Sequence, residues 1–278
     1  MHELPVTAVI DPVVDLDWAR ARGDRVVLAD VRWYLAGRSG REAYQAGHLP
    51  GAIFVDLDRV LAGPPSPADG RHPLPDPATF AAEMAALGVG DEDVVVAYDD
   101  AGGVMAARLV WMLRVTGHDA ALLDGGFTAY SGSLDRDRPR RPRAVFTARP
   151  WPADRLAGIE DASDSSNVVL DAREPARFRG ETESVDPRPG HIPGARNLPC
   201  RDNVDADGRF RPVGELRERF AAAGVTDGAE VISYCGSGVT ACHNLIALEY
   251  AGLGRGRLYP GSWSQYSADP ARPAAVGD

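Results

Sequence analysis

The chain has 278 residues, 44% hydrophobic and 25% charged, which is the composition of a soluble globular protein with room for two domains. Its formal net charge of −10 argues against nucleic acid as a main partner, because phosphates must be neutralised by cationic side chains. The sequence contains no lysine, which excludes the lysine of a nucleotide-binding P-loop and the Schiff-base lysine of pyridoxal-phosphate enzymes.

Neither a targeting segment nor a metal site is indicated. The first residues lack a basic region followed by a long apolar run, and no apolar stretch approaches the roughly 18 residues that cross a membrane. Cys200, Cys235 and Cys242 show no metal-ligand spacing and no even disulfide framework. We therefore expect a cytoplasmic protein in a reducing environment, with no membrane contact, no metal and no cofactor.

The first half alternates strand and helix patterns. Apolar, β-branched runs at 26–32 and 94–98 predict buried strands, and residues 78–87 and 105–115 have the periodicity of helices. Such alternation predicts an α/β fold with a mainly parallel sheet flanked by helices. Ligands of such sheets bind at the carboxyl ends of the strands.

The second half repeats the first about 140 residues further along, which is too long a period for a solenoid unit and indicates a duplicated domain. The strand pattern at 26–32 recurs at 168–173, and Gly-His-Leu-Pro-Gly-Ala at 47–52 recurs as Gly-His-Ile-Pro-Gly-Ala at 190–195. The strand pattern at 94–98 recurs as the strand that ends at Tyr234. Helices are predicted here at 213–223 and 239–253.

A charged, proline-broken segment separates the two halves. We predict a first domain at 5–132, a linker at 133–153 and a second domain at 154–278. The arginines of the linker favour a solvated connector over a binding patch. The tail beyond Tyr266 is predicted to be irregular.

The segment with the most chemistry follows the strand that ends at Tyr234. Cys235 opens a loop with two glycines, and the helical pattern comes next. Glycines let successive backbone N–H groups point inward, and a helix N-terminus adds partial positive charge, so the setting favours a nucleophilic thiolate. The alternatives are a small buried hydrophobic cysteine and a phosphatase loop. The latter needs an arginine six residues after the cysteine, where this chain has Ala241.

Cys-Gly-Ser-Gly-Val-Thr at 235–240 resembles the active loop of the rhodanese superfamily, in its mercaptopyruvate sulfurtransferase form, and the resemblance extends over nearly the whole chain. It implies two tandem rhodanese-like domains and a cysteine that takes up sulfur as a persulfide and passes it to an acceptor. The first half has Asp99 at the position of Cys235. A carboxylate cannot carry sulfur, so we expect the first domain to be catalytically silent and to close the site from the other side.

The resemblance also implies further catalytic residues. In the family, the serine that matches Ser237 is proposed to act with a histidine and an aspartate of the first domain, which here are His72 and Asp58. A neutral histidine oriented by an aspartate can polarise a serine. The alternatives are a loop serine that satisfies backbone groups and a structural histidine–aspartate pair.

The substrate-binding residues are implied in the same way. Arg177 and Arg188 match family arginines that hold the carboxylate and carbonyl of mercaptopyruvate, and Arg108 matches a further arginine from the silent domain. A guanidinium binds a carboxylate bidentately, although a salt bridge to a nearby acid is the alternative. The remaining predicted contacts are loop residues: Gly236, Gly238, Val239 and Thr240.

Residues that occur in both halves are predicted to be structural, since only one half has the cysteine. They include His48 and His191, and two Asp–Arg pairs that we expect at strand–loop junctions: Asp30 with Arg32 and Asp171 with Arg173. Cys242 is predicted to face inward, and neither it nor Cys200 has an assigned role.

The uncharged Gly236-Ser237-Gly238 distinguishes between donors, because the thiosulfate-preferring form of the family carries cationic residues there. We expect 3-mercaptopyruvate as the donor and thioredoxin, a small thiol or cyanide as the acceptor. The alternatives are a thiosulfate:cyanide sulfurtransferase and a non-catalytic sulfur-binding module.

Overall fold

The computed structural model describes residues 10–278. The predicted start of the first domain at residue 5 and the N-terminal stretch considered for a signal lie outside the described residues.

The first half alternates strands and helices as predicted. Its elements are β1 (Val13–Val14), α1 (Leu16–Arg20), β2 (Val26–Asp30), α2 (Gly40–Ala46), β3 (Ile53–Phe54), α3 (Leu57–Val60), α4 (Pro77–Ala86), β4 (Val94–Tyr98), α5 (Ala106–Val115) and β5 (Ala120–Leu123).

The second half has the same alternation. Its elements are α6 (Ile159–Ser163), β6 (Val168–Asp171), α7 (Pro175–Phe178), β7 (Arg196–Asn197), α8 (Val213–Ala222), β8 (Val231–Tyr234), α9 (Ala241–Tyr250), β9 (Arg257–Leu258) and α10 (Ser262–Tyr266).

Each half contains one parallel sheet, and the two sheets share a topology. The strand orders are β1-β5-β4-β2-β3 and β7-β6-β8-β9, and all the strand pairs described are parallel. The second order is the first one reversed, with Leu156 bridging in parallel to Leu258 where β1 pairs with β5 in the first sheet. The prediction of two tandem α/β domains is therefore confirmed.

The central strands are β4 and β8, and both are apolar and buried along most of their length. A strand that is covered on both faces has to be apolar throughout, which explains why these segments do not alternate polar and apolar residues. Asp99 and Cys235 follow at the carboxyl ends of these strands, where each leads through a loop into a helix. Helix α9 begins two residues later than predicted, because residues 239 and 240 belong to the loop around Cys235.

Helices α5 and α9 pack against each other and join the two domains. Leu109, Leu245 and Ile246 are buried in one apolar cluster that spans both halves. Arg114 donates to Glu249 across the interface at 2.6 Å, with both side chains largely shielded from solvent. Burial removes the hydration of such a pair, so its bidentate geometry is what stabilises it. Of the helices within residues 10–278, none is long and apolar enough to cross a membrane.

His243 on α9 makes a further contact between the domains. Its Nε2 lies 3.0 Å from the carbonyl oxygen of Gly102 and its Nδ1 lies 3.2 Å from the amide nitrogen of Asn203. Burial lowers the pKa of His243 to about 4, so the ring is neutral and carries its proton on Nε2 toward Gly102. The loop that contains Gly102 is thereby fixed to the second domain.

The predicted linker lies along the first domain. It forms no strand, and its helical content begins only with a short turn at Ala153–Arg155. Arg141 donates to the carbonyl of Gly88 at 3.0 Å and Trp151 donates to that of Pro75 at 2.8 Å. The segment is therefore bound to the surface of the protein, whereas its exact limits stay predictions. Beyond Tyr266 the chain has no helix or strand, as expected.

Candidate active site

The loops that follow the central strands face a cavity of about 630 Å³ between the two domains. The first domain contributes the loop after β2, the segment with Arg71 and His72, and Met105 before α5. The second domain contributes Cys235 with its loop, Arg173 and the neighbouring arginines. The cavity lies at the carboxyl ends of both sheets, which is where this class of fold binds ligands.

Cys235 is held at the floor of this cavity. Its side chain is buried, and the backbone N–H of Gly238 donates to its Sγ at 3.1 Å. Its own N–H donates to the hydroxyl of Ser262 at 3.1 Å, and its carbonyl accepts from Trp263 at 2.9 Å. The sulfur atom therefore faces a peptide amide, while the rest of the residue is fixed by α10.

Ser262 has an unusual backbone, since it adopts a φ of +52°. The matching residue of the first domain is Gly126, with a φ of +51°. A serine in this conformation is strained, and its hydroxyl is bonded on both sides, accepting from Cys235 and donating to the carbonyl of Tyr259 at 2.9 Å. Ser262 thus fixes the backbone N–H of Cys235.

The matching loop of the first domain shows what this geometry is built to hold. The Oδ1 of Asp99 accepts from the N–H groups of Ala101 and Gly103, both at 2.8 Å. Its Oδ2 accepts from those of Met105 at 2.7 Å and Ala106 at 2.9 Å. Four backbone donors thus surround one side-chain carboxyl at a helix start, where such donors favour an anion. Burial, the larger effect, raises the pKa of Asp99, and the four N–H bonds oppose this rise.

The matching loop around Cys235 has fewer of its N–H groups bonded. Ser237 and Val239 occupy the positions of Ala101 and Gly103. Across residues 10–278, no acceptor bonds the N–H groups of Ser237 and Val239. A thiolate, or a further sulfur atom attached to it, is the kind of acceptor that such donors stabilise.

The structure brings Ser237, His72 and Asp58 together. His72 Nδ1 lies 2.7 Å from Ser237 Oγ, and His72 Nε2 lies 3.3 Å from Asp58 Oδ1. A carboxylate can only accept, so the ring proton lies on Nε2 and the serine hydroxyl donates to Nδ1. Trp33 donates to the second oxygen of Asp58 at 2.9 Å and fixes its orientation.

The His72 ring is shielded, and the pKa of His72 is lowered by burial, with the positive charges of Arg108 and Arg71 acting in the same direction. Asp58 opposes this effect and raises the pKa. The ring is therefore neutral at pH 7, with a free acceptor lone pair toward Ser237.

Arg177 lines the cavity as predicted, and it also makes salt bridges. It donates to Glu183 at 2.8 Å and to Asp186 at 2.9 Å. The salt bridge to a nearby acid, which was the alternative, is thus present as well. Arg177 is therefore fixed in place by acids while one edge of its guanidinium faces the cavity.

Arg188 is not brought to the cavity, contrary to the prediction. Its Nε donates to the carbonyl of Ser267 at 3.1 Å, and its Nη1 donates to that of Arg272 at 2.9 Å. Its Nη2 bonds the carbonyls of Tyr266 and Asp269. The guanidinium thus binds the C-terminal tail. The carbonyls of this irregular segment are not paired in a sheet, so they need side-chain donors.

Arg108 is also absent from the cavity wall. It is fully buried, and it donates to the carbonyls of Leu61, Gly238 and His72 at 3.3, 2.9 and 3.0 Å. It therefore joins the catalytic loop to the backbone of His72 and does not face a ligand. Of the predicted loop contacts, Gly236, Val239 and Thr240 line the cavity, whereas Gly238 lies behind Sγ.

The sequence analysis missed Arg71. Its guanidinium lines the cavity beside Arg177 and forms an ion pair with Asp186. A signal was present, because Arg71 immediately precedes His72, which was predicted to reach Ser237 of the second domain.

The residues shared by both halves are structural, as expected. His48 and His191 bond the carbonyls of Tyr44 and Phe178 and stack on their rings. The two Asp–Arg pairs form at the strand ends at 2.7 and 2.6 Å.

The other two cysteines are protonated thiols. Burial raises the pKa of Cys200 and that of Cys242 to about 12. Cys242 faces inward and donates to the carbonyl of Gly238 at 3.4 Å, whereas Cys200 lines the cavity. In the part of the chain that the structure describes, no cluster of histidines, cysteines and acids has the arrangement of a metal site.

Comparison with known proteins agrees with this geometry. A family described as "Rhodanese-like domain" matches the chain twice, at residues 15–133 and 155–269. The chain is 42% identical to the "Probable 3-mercaptopyruvate sulfurtransferase" of Pseudomonas aeruginosa over 94% of its own length and 95% of that protein. It is 32% identical to "Thiosulfate/3-mercaptopyruvate sulfurtransferase 2" of Arabidopsis thaliana, over 95% of this chain and 86% of that one.

Among solved structures, the 3-mercaptopyruvate sulfurtransferase from Leishmania major superposes with a TM-score of 0.82 at 33% identity. The match covers 92% of this chain and 74% of that one. The likeness therefore includes both domains.

Gly238→Ala tests how tightly the loop is shaped. Gly238 has a φ of +77°, and an added Cβ would lie 2.5 Å from the carbonyl oxygen of Pro260. Gly194→Ala is the matched control, because Gly194 has a φ of +84° with open space around it. We expect Gly194→Ala to lower the free energy of unfolding in urea by about 1 kcal/mol, and Gly238→Ala by about 1–3 kcal/mol more. Equal losses would contradict the close packing of the loop.

Proposed function

The chain belongs to the rhodanese family, and we propose that it is a sulfurtransferase that moves sulfur from 3-mercaptopyruvate to an acceptor through a persulfide on Cys235. The observation that carries this proposal is the Sγ of Cys235 under the Gly238 N–H, in a cavity that also contains the Ser237–His72 pair and Arg177. A nucleophile, a proton carrier and a cation for the donor's carboxylate are the groups that the reaction needs.

In the first step, the Cys235 thiolate attacks the sulfur of the donor. A sulfur–sulfur bond forms, the carbon–sulfur bond breaks, and its electron pair passes to the carbon of what becomes the enolate of pyruvate. The new outer sulfur carries negative charge, which the N–H groups of Ser237 and Val239 are positioned to stabilise. Arg177 holds the donor's carboxylate.

The Ser237–His72–Asp58 group carries the proton. The donor's thiol proton passes through Ser237 to Nδ1 of neutral His72, and Asp58 stabilises the resulting imidazolium. The proton then returns through Ser237 to the enolate carbon and completes pyruvate. In the second step, an acceptor thiolate or cyanide attacks the outer sulfur, breaks the sulfur–sulfur bond and restores the Cys235 thiolate.

The neutral Gly236-Ser237-Gly238 loop favours 3-mercaptopyruvate over thiosulfate, since the dianion thiosulfate binds more strongly where the loop carries positive charge. Thiosulfate is the second candidate donor, because five arginines line the cavity: Arg38, Arg71, Arg173, Arg177 and Arg201. Measuring kcat/KM for both donors side by side separates the two, and we expect the larger value for 3-mercaptopyruvate.

We propose thioredoxin or a small thiol as the acceptor, with cyanide as a substitute in the assay. The three cysteines are free, which suits a reducing compartment such as the cytoplasm. Silence of the first domain is part of the same proposal, because Asp99 fills the place of the nucleophile.

Cys235→Ser tests the persulfide directly. After exposure to 3-mercaptopyruvate, the wild-type peptide with Cys235 should gain about 32 Da, one sulfur atom, in mass spectrometry. Cys235→Ser should gain nothing and lose turnover with every donor. Cys242→Ser is the control, because its hydroxyl can replace the thiol that bonds Gly238, and it should keep the gain. Sulfur transfer by Cys235→Ser would contradict the assignment.

The proton relay predicts a pH profile. Activity needs neutral His72, so kcat should fall as pH drops below the lowered pKa of His72. Asp58→Asn removes the charge that raises this pKa, so the acid limb of kcat should move to lower pH while kcat itself decreases. Ser237→Ala should remove the limb.

Asp91→Asn is the matched control for this profile. Asp91 bonds His118 at 3.3 Å, before β4 at the opposite end of the sheet from the loop with Asp99. This variant should leave the profile of kcat unchanged. An acid limb that is the same in wild type, Asp58→Asn and Ser237→Ala would exclude the relay.

A further inference from the structure

Two guanidinium groups from different domains converge beside Cys235. A Cβ built on Gly236 would lie 2.9 Å from Nη2 of Arg71 and 3.5 Å from Nη1 of Arg177. Arg177 belongs to the second domain, whereas Arg71 comes from the loop of the first domain that precedes α4. Both side chains face the same wall of the cavity, one residue away from the nucleophile.

The loop that carries Arg71 is bound to the second domain. The N–H of Arg71 donates to the hydroxyl of Ser264 at 3.1 Å, and the side chain of Gln265 donates to the carbonyl of Ala68. A Cβ on Gly70 would lie 2.6 Å from the carbonyl oxygen of Gly261, so the two loops touch at backbone distance. The position of Arg71 is therefore set by backbone contacts as well as by its own ion pair.

The two arginines share one buried acid, and each keeps unbonded guanidinium nitrogens. Asp186 has a side chain only 1% exposed, and it accepts from Nη1 of Arg71 and from Nη2 of Arg177. Glu183 takes the remaining bonds of Arg177. No acceptor within residues 10–278 bonds Nη2 of Arg71 or Nη1 of Arg177, and these are the nitrogens nearest Gly236.

Unused N–H donors on two cations at one point form a site for a planar anion. A carboxylate has two oxygens and accepts from both guanidinium groups at once. Burial lowers the pKa of Arg71, and the nearby positive charge of Arg177 acts in the same direction. The negative charge of a bound anion raises this pKa and so opposes both effects. Arg188, which the family pattern suggested for this task, is occupied by the C-terminal tail.

We propose that Arg71 of the silent domain binds the carboxylate of the sulfur donor together with Arg177, in place of Arg188. This inference rests on the proposed function. It makes the first domain a source of donor specificity, since the reacting atoms are bound by the second domain and the carboxylate is bound by both.

The experiment compares two donors that differ only in the carboxylate: 3-mercaptopyruvate, and mercaptoacetone, which has a methyl group in its place. Arg71→Gln should raise KM for 3-mercaptopyruvate by about 10- to 100-fold, the equivalent of one charged hydrogen bond, and change kcat by less than about threefold. Its kcat/KM for mercaptoacetone should stay within about twofold of wild type. Arg71→Lys keeps the positive charge but not the planar pair of N–H donors, so its KM for 3-mercaptopyruvate should lie between those of the wild type and Arg71→Gln.

Two controls separate binding from structure. Arg179→Gln removes the same charge from an exposed pair with Glu181 and should leave both donors unaffected. Asp186→Asn breaks the bridge between the domains but keeps both arginines, so KM for 3-mercaptopyruvate should fall or stay unchanged. A rise in KM in Asp186→Asn equal to that in Arg71→Gln, or an equal loss with mercaptoacetone, would show that Arg71 only joins the domains and would overturn the inference.

The proposed function is tested separately by the wild-type protein. If the wild type yields pyruvate and a Cys235 persulfide but Arg71→Gln keeps the wild-type KM, the inference fails and the function stands. If the wild type takes sulfur from neither 3-mercaptopyruvate nor thiosulfate, the proposed function itself fails.

Discussion

The structure depends on a set of backbone N–H groups at the end of a parallel strand that need an acceptor. Where a buried strand turns through a loop into a helix, the first amides of the helix have no partner within the helix. The first domain satisfies them with Asp99, whose carboxyl accepts four backbone N–H bonds. The second domain places Cys235 there, with the N–H of Gly238 bonded to sulfur. The same local geometry thus surrounds a structural carboxyl in the first domain and the thiol of Cys235 in the second.

Duplication explains how one site draws on both halves. The first domain has Asp99 at the position of Cys235, yet it has the same fold and contacts the other domain through α5 and α9, so its loops face Cys235 at fixed positions. His72 meets Ser237 across this boundary, and Arg108 donates to the carbonyls of His72 and Gly238. The first domain therefore places His72 beside Ser237, as the family resemblance implied, and adds Arg71 to the cavity, which the sequence analysis missed.

The sequence predicted the parts that depend on local pattern and on matching motifs. Strand and helix periodicity placed both sheets, and the position of Asp99 opposite Cys235 distinguished the two halves. The sequence could not place Arg188 or Arg71, because a guanidinium on a long flexible side chain goes where carbonyls or acids need it. Arg188 lies in a motif of the expected type, yet the irregular tail captures it. Arg71 acquires its position only when its loop packs on Gly261 and Ser264, contacts that are nearly 200 residues away along the chain.

Comparing Cys235→Asp with its isostere Cys235→Asn tests most directly whether the loop is a cradle for negative charge. If the amides around Cys235 favour an anion by more than burial disfavours it, the free energy of unfolding of Cys235→Asp at pH 7 should exceed that of Cys235→Asn by about 1.5–3 kcal/mol, as for hydrogen bonds to a charged group. A carboxylate stabilised by folding loses that advantage on protonation, so the difference should close as the pH falls below about 4. If Cys235→Asn were more stable than Cys235→Asp at pH 7, the loop would disfavour negative charge, which would contradict the account.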